Sequence, residues 1–263
     1  MENIKSIYIT IVLLILSSAA FFIFNKNGKI AVSVNGHSGD KQYKNKKPTL
    51  IIAGSSNSGK STLFGLLTTD SIKTTVVSQV PNVCHHFVSE PENKAVKLID
   101  FPGNIKLTYK LIEALKSSNN IKGIIFVTDS TVDPRHITQT AELLYNILNI
   151  VEDRDHNGVN ILIACNKSES FIARPPQKIL NALENEIANI IKRKKKSLNS
   201  VSDTQANDAD LYDEDLLNDE NPLDSINDFK FSLLESEITL AEGSVTKRKI
   251  SKWQEWINDV VNQ

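Results

Sequence analysis

TLIIAGSSNSGKSTLFGLL, residues 49–67, is the stretch of sequence that decides the fold. Residues 49–53 are apolar and β-prone, and residues 54–61 fit the pattern G-x-x-x-x-G-K-[ST] at every position. The leucines and the phenylalanine that follow recur with helical spacing. A strand, a glycine-rich loop and a helix therefore appear in the order that a phosphate-binding loop requires. The pattern predicts an α/β domain built around a nucleotide phosphate site.

Each residue of this loop has a predicted role. The glycines let backbone N–H groups face phosphate oxygens, and the positive end of the following helix adds to the attraction. We expect Lys60 to reach the β- and γ-phosphates and the Ser61 hydroxyl to ligate Mg²⁺. The predicted phosphate- and metal-binding residues of the loop are Gly54, Ser55, Ser56, Asn57, Ser58, Gly59, Lys60, Ser61 and Thr62.

A second phosphate motif ends at Gly103. Residues 95–103 read AVKLIDFPG, an apolar strand that ends in Asp100-x-x-Gly103, and Asp100 stands 40 residues after Lys60. An aspartate at a strand end can hold Mg²⁺ through a water, and the glycine N–H can meet the γ-phosphate. D-x-x-G is weak alone and gains weight from its position behind the phosphate loop. Residues 83–88 are a further strand candidate, in which His85 and His86 are expected to be strand residues rather than ligands.

A guanine-selecting tetrapeptide follows another apolar strand candidate, residues 159–165, and residues 121–129 supply one more strand. The tetrapeptide is NKSE, residues 166–169. The Asn166 amide can bond the base edge, and the Lys167 stem can pack over its face. Glu169 can accept from the N1–H and 2-amino groups of guanine, a donor pattern that adenine lacks. The sequence therefore predicts that GTP and Mg²⁺ bind at this site.

These motifs resemble those of the small GTPase superfamily, in its Arf/Sar-like branch, and the wider sequence is similar to the β-subunit family of signal recognition particle receptors. The resemblance is strongest over residues 48–182 and 228–258. The segments that carry it are GSSNSGKSTLF, TTVVSQVP, LIDFPGN, GIIFVTDSTVDP, ILIACNKSE, ARPPQKI, EGSVTKRKISKWQEWI and the apolar N-terminus. It implies a doubly wound, mostly parallel α/β sheet, which the alternation of predicted strands and helices supports independently.

The resemblance also implies further site residues. A threonine between the loop helix and the next strand should ligate Mg²⁺ and sense the γ-phosphate, with Thr75 as first choice and Thr74 as second. Asn104 stands where a water-orienting glutamine is common, so we expect slow GTP hydrolysis and leave open whether the chain acts as an enzyme. Gly243 and Ser244 should touch the base through their backbone.

The function implied by the resemblance is to bind GTP and, in that state, to hold the receptor α-subunit in a heterodimer at the endoplasmic reticulum membrane. The translocon and the ribosome are further candidate contacts, and direct RNA binding is not expected. Three other classes stay open on the sequence alone. They are an Arf/Sar-type vesicle-trafficking GTPase, a P-loop kinase or ATPase, and a structural tether in which the nucleotide site is vestigial.

Residues 7–24, IYITIVLLILSSAAFFIF, carry no charge and are long enough for a helix to approach the thickness of a bilayer. The segment lacks the basic start and cleavage site of a signal peptide, and it lacks the polar face of a core helix. We predict a retained transmembrane anchor. Six lysines follow it and one precedes it, which places residues 1–6 in the lumen and the remainder in the cytosol. Residues 25–47 are then a basic tether and residues 48–263 the GTP-binding domain.

The charge of the chain is unevenly distributed. The 263 residues include 30 basic and 31 acidic ones, and the net charge of −1 argues against nucleic-acid binding by bulk electrostatics. Its two cysteines lie far apart, which excludes a disulfide scaffold and a cysteine-rich zinc site.

Within the domain, a helix over 175–191 is predicted to end in the basic run 192–196, and a disordered acidic insertion is predicted at about 197–228. The basic run could bind RNA or anionic lipid, and a solvated helix end is the favoured interpretation. In the last helix we expect Trp253 in the core and Trp256 partly exposed.

Overall fold

Six strands form the sheet of the computed structural model, which describes residues 47–72, 78–89, 94–154, 158–204, 222–226 and 228–263. The strands are β1 (Thr49–Ala53), β2 (Asn82–Ser89), β3 (Lys94–Asp100), β4 (Ile121–Asp129), β5 (Asn160–Asn166) and β6 (Ile238–Glu242). Their order is β2-β3-β1-β4-β5-β6. All neighbours are parallel except β2, which runs antiparallel to β3. The predicted mostly parallel α/β sheet is confirmed.

Helices cover both faces of the sheet because each central strand buries alternate side chains on opposite sides. The helices are α1 (Lys60–Thr69), α2 (Thr108–Ser117), α3 (Thr138–Arg154), α4 (Pro176–Thr204) and α5 (Ser251–Asn262). Leu50 and Ile52 of β1 belong to the core layer that contains α1 and α5. Ile51 of the same strand belongs to the opposite layer, with α2, α3 and α4. This alternation makes a three-layer, doubly wound domain.

The histidines of β2 lie in a bulge. Pairing between β2 and β3 shifts register between Cys84 and Phe87, and both His85 and His86 are exposed there. Among the described residues no group of three or more histidine, cysteine or acidic side chains could hold a metal ion. The prediction that the two histidines are strand residues is confirmed.

The prediction for Trp256 is wrong. Its side chain is buried, with 8% of its surface exposed, beside Trp253 in the same core layer. The reason lies in β4, where a side chain at Gly123 would come within 2.9 Å of Trp256 Cη2. The missing side chain at Gly123 leaves the space that this indole fills, a contact that helical periodicity alone does not reveal.

The predicted acidic insertion is too wide at both ends. Helix α4 does not end in the basic run but continues through it to Thr204. At the other end Leu223, inside the predicted insertion, and Phe229, just after it, are buried against the core that contains α3 and α4. These apolar side chains at the end of an acidic stretch supply the burial that a uniformly polar insertion would lack. The central part of the predicted insertion, residues 205–221, lies outside the described residues.

The basic run contacts the domain itself. Lys194 Nζ lies 4.3 Å from the centre of the Tyr145 ring, and Lys195 donates to the Ile226 carbonyl at 3.4 Å. Tyr145 in turn donates to Asp224 at 2.7 Å. These contacts hold residues 224–226, in the last part of the predicted insertion, against α3 and α4.

Within the part of the chain that the structure describes, no helix is long and apolar enough to cross a membrane. The predicted anchor at 7–24 and almost all of the tether at 25–47 lie outside that part. The described elements all belong to one compact unit, Tyr43–Gln263.

Candidate nucleotide-binding site

The predicted site residues that the structure describes meet at one edge of the sheet, where the parallel strands end. The glycine-rich loop follows β1, Asp100 ends β3, Asn166 ends β5 and Gly243 follows β6. Ligands of doubly wound sheets bind at this carboxyl edge. The strand order, which the sequence alone did not give, is what brings the four segments together.

The loop packs too closely on its neighbours for any residue but glycine at two positions. Gly54 has φ +140°, and a Cβ there would lie 2.1 Å from the Val127 carbonyl oxygen. Gly59 has φ +99°, and its Cβ would lie 2.2 Å from Asn166 Nδ2. Both backbone conformations belong to the region that L side chains rarely adopt. The glycines of the motif therefore seat the loop on β4 and β5.

Lys60 is buried at the first position of α1. Its ammonium group donates to the Ser55 carbonyl at 2.6 Å, and only 6% of the residue is exposed. Burial lowers the pKa of Lys60 from 10.5 to about 8, and the negative charge of Asp100 opposes that shift. The lysine therefore lies inside the loop with a poorly solvated charge, which a phosphate oxygen would stabilise.

Hydroxyl and amide groups surround Asp100. Ser61 donates to its Oδ2 at 2.7 Å, and Asn82 Nδ2 donates to the same oxygen at 2.9 Å. Burial raises the pKa of Asp100, while the bonds from Ser61 and Asn82 and the charge of Lys60 act in the opposite direction. The Ser61 hydroxyl also lies 3.2 Å from Ser78 Oγ.

The other oxygen of Asp100, Oδ1, is buried without a hydrogen-bond partner among the described residues. An unpaired buried carboxylate oxygen is unfavourable unless a cation or an ordered water meets it. The donor set of a carboxylate and serine hydroxyls suits Mg²⁺, which binds through one or two carboxylates and completes its shell with waters and phosphates. The residues therefore fit a magnesium ion at Ser61 and Asp100.

Gly103 lies against the phosphate loop. A Cβ there would come within 2.4 Å of Lys60 Nζ, and the Ser56 hydroxyl donates to the Gly103 carbonyl at 2.9 Å. The next residue, Asn104, accepts from the Lys106 backbone N–H at 3.0 Å and caps a short 3₁₀ helix, Ile105–Leu107. The side chain at the predicted water-orienting position is thus bonded to its own loop.

Asn166 joins the two halves of the site. Its Nδ2 donates to the Ser58 carbonyl of the phosphate loop at 2.8 Å. Its Oδ1 accepts from the Val245 N–H, in the loop after β6, at 3.0 Å. The side chain is 4% exposed, so both bonds are shielded from water. Asn166 therefore fixes the phosphate loop relative to the loop after β6.

Lys167 is held by an aspartate that sequence reasoning missed. Its ammonium group bonds to Asp129, and strand register pairs Asp129 with Asn166 across β4 and β5. Burial acts to raise the pKa of Asp129, but hydrogen bonds from Lys167 and Thr131 outweigh it, and the net pKa lies below its ordinary value. The available signal was the position of Asp129 at the end of a predicted strand.

The remaining residues predicted to face the base lie in two loops, one after β5 and one after β6. Lys167 adopts the left-handed φ of +65°, and Glu169 follows it with an exposed side chain. Gly243 packs on Trp253, where a Cβ would lie 2.5 Å from Cζ2. The Ser244 N–H donates to the Lys249 carbonyl at 3.0 Å and its hydroxyl accepts from the Lys247 N–H, so Ser244 closes its own loop.

The fold agrees with comparisons to known proteins. A family model described as signal recognition particle receptor beta subunit matches residues 45–238. The signal recognition particle receptor subunit beta of Saccharomyces cerevisiae is 50% identical over 219 residues, which are 83% of this chain and 86% of that protein. The chain belongs to the signal recognition particle receptor β-subunit family. This membership decides against the vesicle-trafficking GTPase and the P-loop kinase considered above.

Other members of the receptor β-subunit family match more distantly. The Homo sapiens subunit is 33% identical over 138 residues, 52% of this chain and 50% of that protein. The structure titled "The Structure of the Mammalian SRP Receptor" has a TM-score of 0.62 at 25% identity, over 81% of this chain and 99% of that chain. A Chaetomium thermophilum SRb-GTP/SRX complex has a TM-score of 0.60 at 22% identity, over 81% and 98% of the two chains, and shows the shared fold.

In this member of the β-subunit family, Ser78 is an additional candidate for the switch hydroxyl. Thr75 and Thr74, the predicted Mg²⁺ ligands, lie outside the described residues, whereas Ser78 stands 3.2 Å from the Ser61 hydroxyl. No sequence signal separates a serine from two threonines within one loop. The distance to Ser61 is what favours Ser78.

We expect Ser78→Ala to raise the Mg²⁺ concentration needed to retain GTP by about threefold to tenfold, the effect of losing one oxygen contact. The measurement is GTP dissociation across a Mg²⁺ titration. Ser71→Ala, which removes a hydroxyl bonded to Thr69 near the other end of the loop, is the matched control. If Thr75→Ala shifts the Mg²⁺ titration and Ser78→Ala does not, the switch hydroxyl is that of Thr75 and not that of Ser78.

Proposed function

We propose that this chain binds GTP with Mg²⁺ and, in that state, holds the receptor α subunit at the endoplasmic reticulum membrane. The observation that carries the proposal is the Asn166 side chain, which bonds both the phosphate loop and the loop after β6. The fold neighbours support the ligands, since they include an SRb-GTP/SRX complex and an SRb-GDP-Mg structure from Chaetomium thermophilum.

The phosphates bind in the loop of residues 54–62. Backbone N–H groups at the start of α1 face the phosphate oxygens, and the poorly solvated Lys60 ammonium meets the β- and γ-phosphates. Ser61 and Asp100, together with Ser78 or Thr75, would hold Mg²⁺, which would neutralise negative charge on the phosphates. Gly103, packed on Lys60, reports whether a γ-phosphate is present.

The base is selected at the ends of β5 and β6. One N–H and one oxygen lone pair of the Asn166 amide join the two loops and hold them at the right separation. The second N–H of the amide stays available for the base edge. Asp129 fixes the Lys167 side chain, whose stem covers one face of the base. Glu169 supplies the acceptor that distinguishes guanine from adenine.

The α subunit binds beside the γ-phosphate sensor. Four exposed apolar side chains lie on the segments that flank Gly103 and the switch loop, namely Val80, Val83, Ile105 and Tyr109. Ile105 follows Gly103 by two residues, so a change in that loop on GTP binding alters the surface directly. Exposed apolar side chains grouped in this way are typical of protein contacts.

Residues 7–24 anchor the protein and residues 25–47 link the anchor to the domain on the cytosolic side. The assignment of the anchor is based on its uncharged run, and the assignment of the tether to the cytosolic side is based on its lysines. This arrangement would place the GTP site within reach of the translocon and of a bound ribosome. A carbonate wash of membranes tests it, because an integral protein stays with the membrane pellet and a peripheral one is released.

The central test is capture of the α subunit by the purified 43–263 unit loaded with GTP, GDP or no nucleotide. We expect GTP to give the strongest capture, and a tenfold excess of ATP to leave bound GTP in place. Equal displacement by ATP would contradict guanine selection. Equal capture in all three states would show a tether that does not depend on nucleotide.

Hydrolysis by the unit alone should be slow, at or below about 10⁻³ s⁻¹ in single turnover. Asn104 caps its own 3₁₀ helix and does not orient a water, so Asn104→Ala should change the rate by less than about threefold. Adding the α subunit to the same assay shows whether a partner supplies catalysis. Fast turnover by the isolated unit, lost in Asn104→Ala, would contradict this account.

A further inference from the structure

Two large apolar side chains are exposed next to each other in the loop after β5. Phe171 and Ile172 are 104% and 64% exposed. They follow the NKSE segment, residues 166–169, at the carboxyl edge of the sheet. Single exposed apolar residues are common on protein surfaces, whereas adjacent ones are typical of a binding surface. The pair therefore indicates a contact outside the domain.

Local turn chemistry does not account for the pair. The Ala173 N–H donates to the Ser170 carbonyl at 3.0 Å, so Phe171 and Ile172 are the two central residues of a β-turn. Glycine, proline, asparagine, aspartate and serine are the residues that favour such positions. The turn presents both side chains to solvent, and neither of them helps to close it.

The turn is bonded on both sides, so its tip is held in place. Before the tip, the Ser170 N–H donates to the Lys167 carbonyl at 3.0 Å. After the tip, the Arg174 N–H donates to the Ser130 carbonyl at 2.9 Å, and Arg174 Nη1 donates to the Val132 carbonyl at 2.7 Å. A tip that is already ordered loses little conformational freedom when it binds.

Exposed lysines lie in the neighbouring loop. The Ser168 N–H donates to the Gly243 carbonyl at 3.2 Å, which joins the loop after β5 to the loop after β6. The second loop and the start of α5 carry three exposed lysines, Lys247, Lys249 and Lys252. In the part of the chain that the structure describes, none of these lysines forms an ion pair.

Two helices add positive potential to the same edge. Helix α4 begins at Pro176 and α5 begins at Ser251, and the N-terminus of a helix carries a partial positive charge. Acidic residues are favoured in a first turn, but neither helix has one there. Lys178 and Lys252 occupy these first turns instead, where the helix dipole disfavours their charge. Helix stability therefore does not explain the two lysines.

The charged side chains of these loops leave a positive excess. The two arginines are already paired with aspartates, Arg174 with Asp133 and Arg248 with Asp70. Exposed carboxylates remain at Glu169 and Glu242, against the four exposed lysines at 178, 247, 249 and 252. The apolar turn thus lies between groups that attract a negatively charged surface.

The predicted tether is long enough for this edge to face the membrane. Residues 25–47 span at most about 75 Å when fully extended. A compact unit of the size of residues 43–263 is about 45 Å across. The described chain starts at Lys47, before the amino end of β1, whereas the turn lies at the carboxyl edge. The length of the tether allows either edge to reach the bilayer.

We propose that the turn of Phe171 and Ile172 inserts into the interface of an anionic bilayer while the four lysines bind lipid headgroups. The inference goes beyond the proposed function and rests on it for the location at a membrane. An aromatic and an aliphatic side chain beside lysines suit the headgroup region of such a bilayer. Nucleic acid would also attract the lysines, but Ile172 offers no ring on which a base could stack.

Tryptophan fluorescence of the full chain tests the insertion directly. Trp253 and Trp256 are buried, so Phe171→Trp supplies the exposed indole. In vesicles of phosphatidylcholine with about 30% phosphatidylserine, brominated lipid should quench this indole at least about twofold more than the parent chain. Leu233→Trp is the matched control, because Leu233 is exposed in the segment that leads to the amino end of β6. Equal or stronger quenching of Leu233→Trp would overturn the proposal.

Vesicle binding by the 43–263 unit, which contains both core layers, reads the turn without the predicted anchor. Phe171→Ser combined with Ile172→Ser should weaken binding to the same vesicles at least about tenfold, since two apolar side chains no longer enter the interface. Leu233→Ser should stay within about twofold of the parent. Equal binding by the parent and the double variant would contradict the insertion.

Salt and lipid charge test the lysines. Replacing all four with glutamine should lower affinity for the phosphatidylserine vesicles about tenfold or more and flatten its salt dependence. Parent binding that is equal with and without phosphatidylserine would refute their role. A glutamine variant that loses RNA binding but keeps vesicle binding would assign the lysines to nucleic acid and overturn the proposal.

Failure of the proposed function would be distinguishable. Release of the full chain by carbonate would refute the anchor, and absence of guanine-nucleotide binding would refute the GTP site. Vesicle binding by the 43–263 unit depends on neither result, so it would still decide whether the turn enters the bilayer.

Discussion

Replacing Asn166 with aspartate should lower the affinity for GTP on the order of 100-fold or more. The substitution keeps the shape of the side chain and the acceptor for Val245, but it places a carboxylate oxygen 2.8 Å from the Ser58 carbonyl. The substitution removes a buried hydrogen-bond donor and adds a buried unpaired charge. Together these two changes cost on the order of 3 kcal/mol of binding free energy. The phosphate and guanine sides of the site would then separate.

Fluorescent nucleotide binding and thermal unfolding measure this effect. Asn160→Asp is the matched control, because Asn160 lies at the opposite end of β5 in an exposed bond to Gln263. The Asn166→Asp defect should be smaller at pH 5 than at pH 8, since a protonated carboxyl can again donate to Ser58. Binding within threefold of the parent at pH 8 would contradict the role given to Asn166.

Replacing Lys60 with methionine should reduce GTP affinity at least about 100-fold while leaving the nucleotide-free protein as stable as before or more so. The phosphates need the positive charge of Lys60. In the nucleotide-free protein, burial disfavours this charge and lowers the pKa of Lys60 to about 8. Methionine has similar length and carries no charge. Lys116→Met, at an exposed position in the last turn of α2, is the control.

The pH dependence has a definite sign. Below pH 8 the lysine is protonated both folded and unfolded, and its buried charge opposes folding of the free protein. Between about pH 8 and 10.5 the unfolded chain binds more protons at this group, so its contribution to stability rises with pH. GTP affinity should fall as pH rises through 8, because binding then requires uptake of a proton.

Lys60→Met should abolish both trends and serves as the reference for any titration of the nucleotide itself. Calorimetric titrations from pH 7 to 9 in buffers of different ionisation enthalpy count the protons taken up. Identical pH profiles for the parent and Lys60→Met would contradict a lowered pKa for Lys60.

Most of the fold was readable from the sequence because the central strands are short, apolar and bounded by recognisable motifs. The prediction of a strand over 121–129 matches β4, and 159–165 differs from β5 by one residue at each end. Errors arose where tertiary contacts override local pattern. Trp256 is buried because Gly123 leaves room for it, and Leu223 and Phe229 pack the C-terminal end of an acidic stretch onto the core.

The sequence by itself determined the phosphate loop, the Asp100 and Gly103 motif, the NKSE segment and hence the class of ligand, because each is a contiguous set of residues with its own chemistry. The tertiary structure alone decided how these segments act on one another. Strand register brought Asp129 close to Lys167. The packing of loops at the carboxyl edge of the sheet placed the Asn166 side chain between two loops and brought Arg248 to Asp70. Such contacts join residues as far as 178 positions apart, so only the folded chain can specify them.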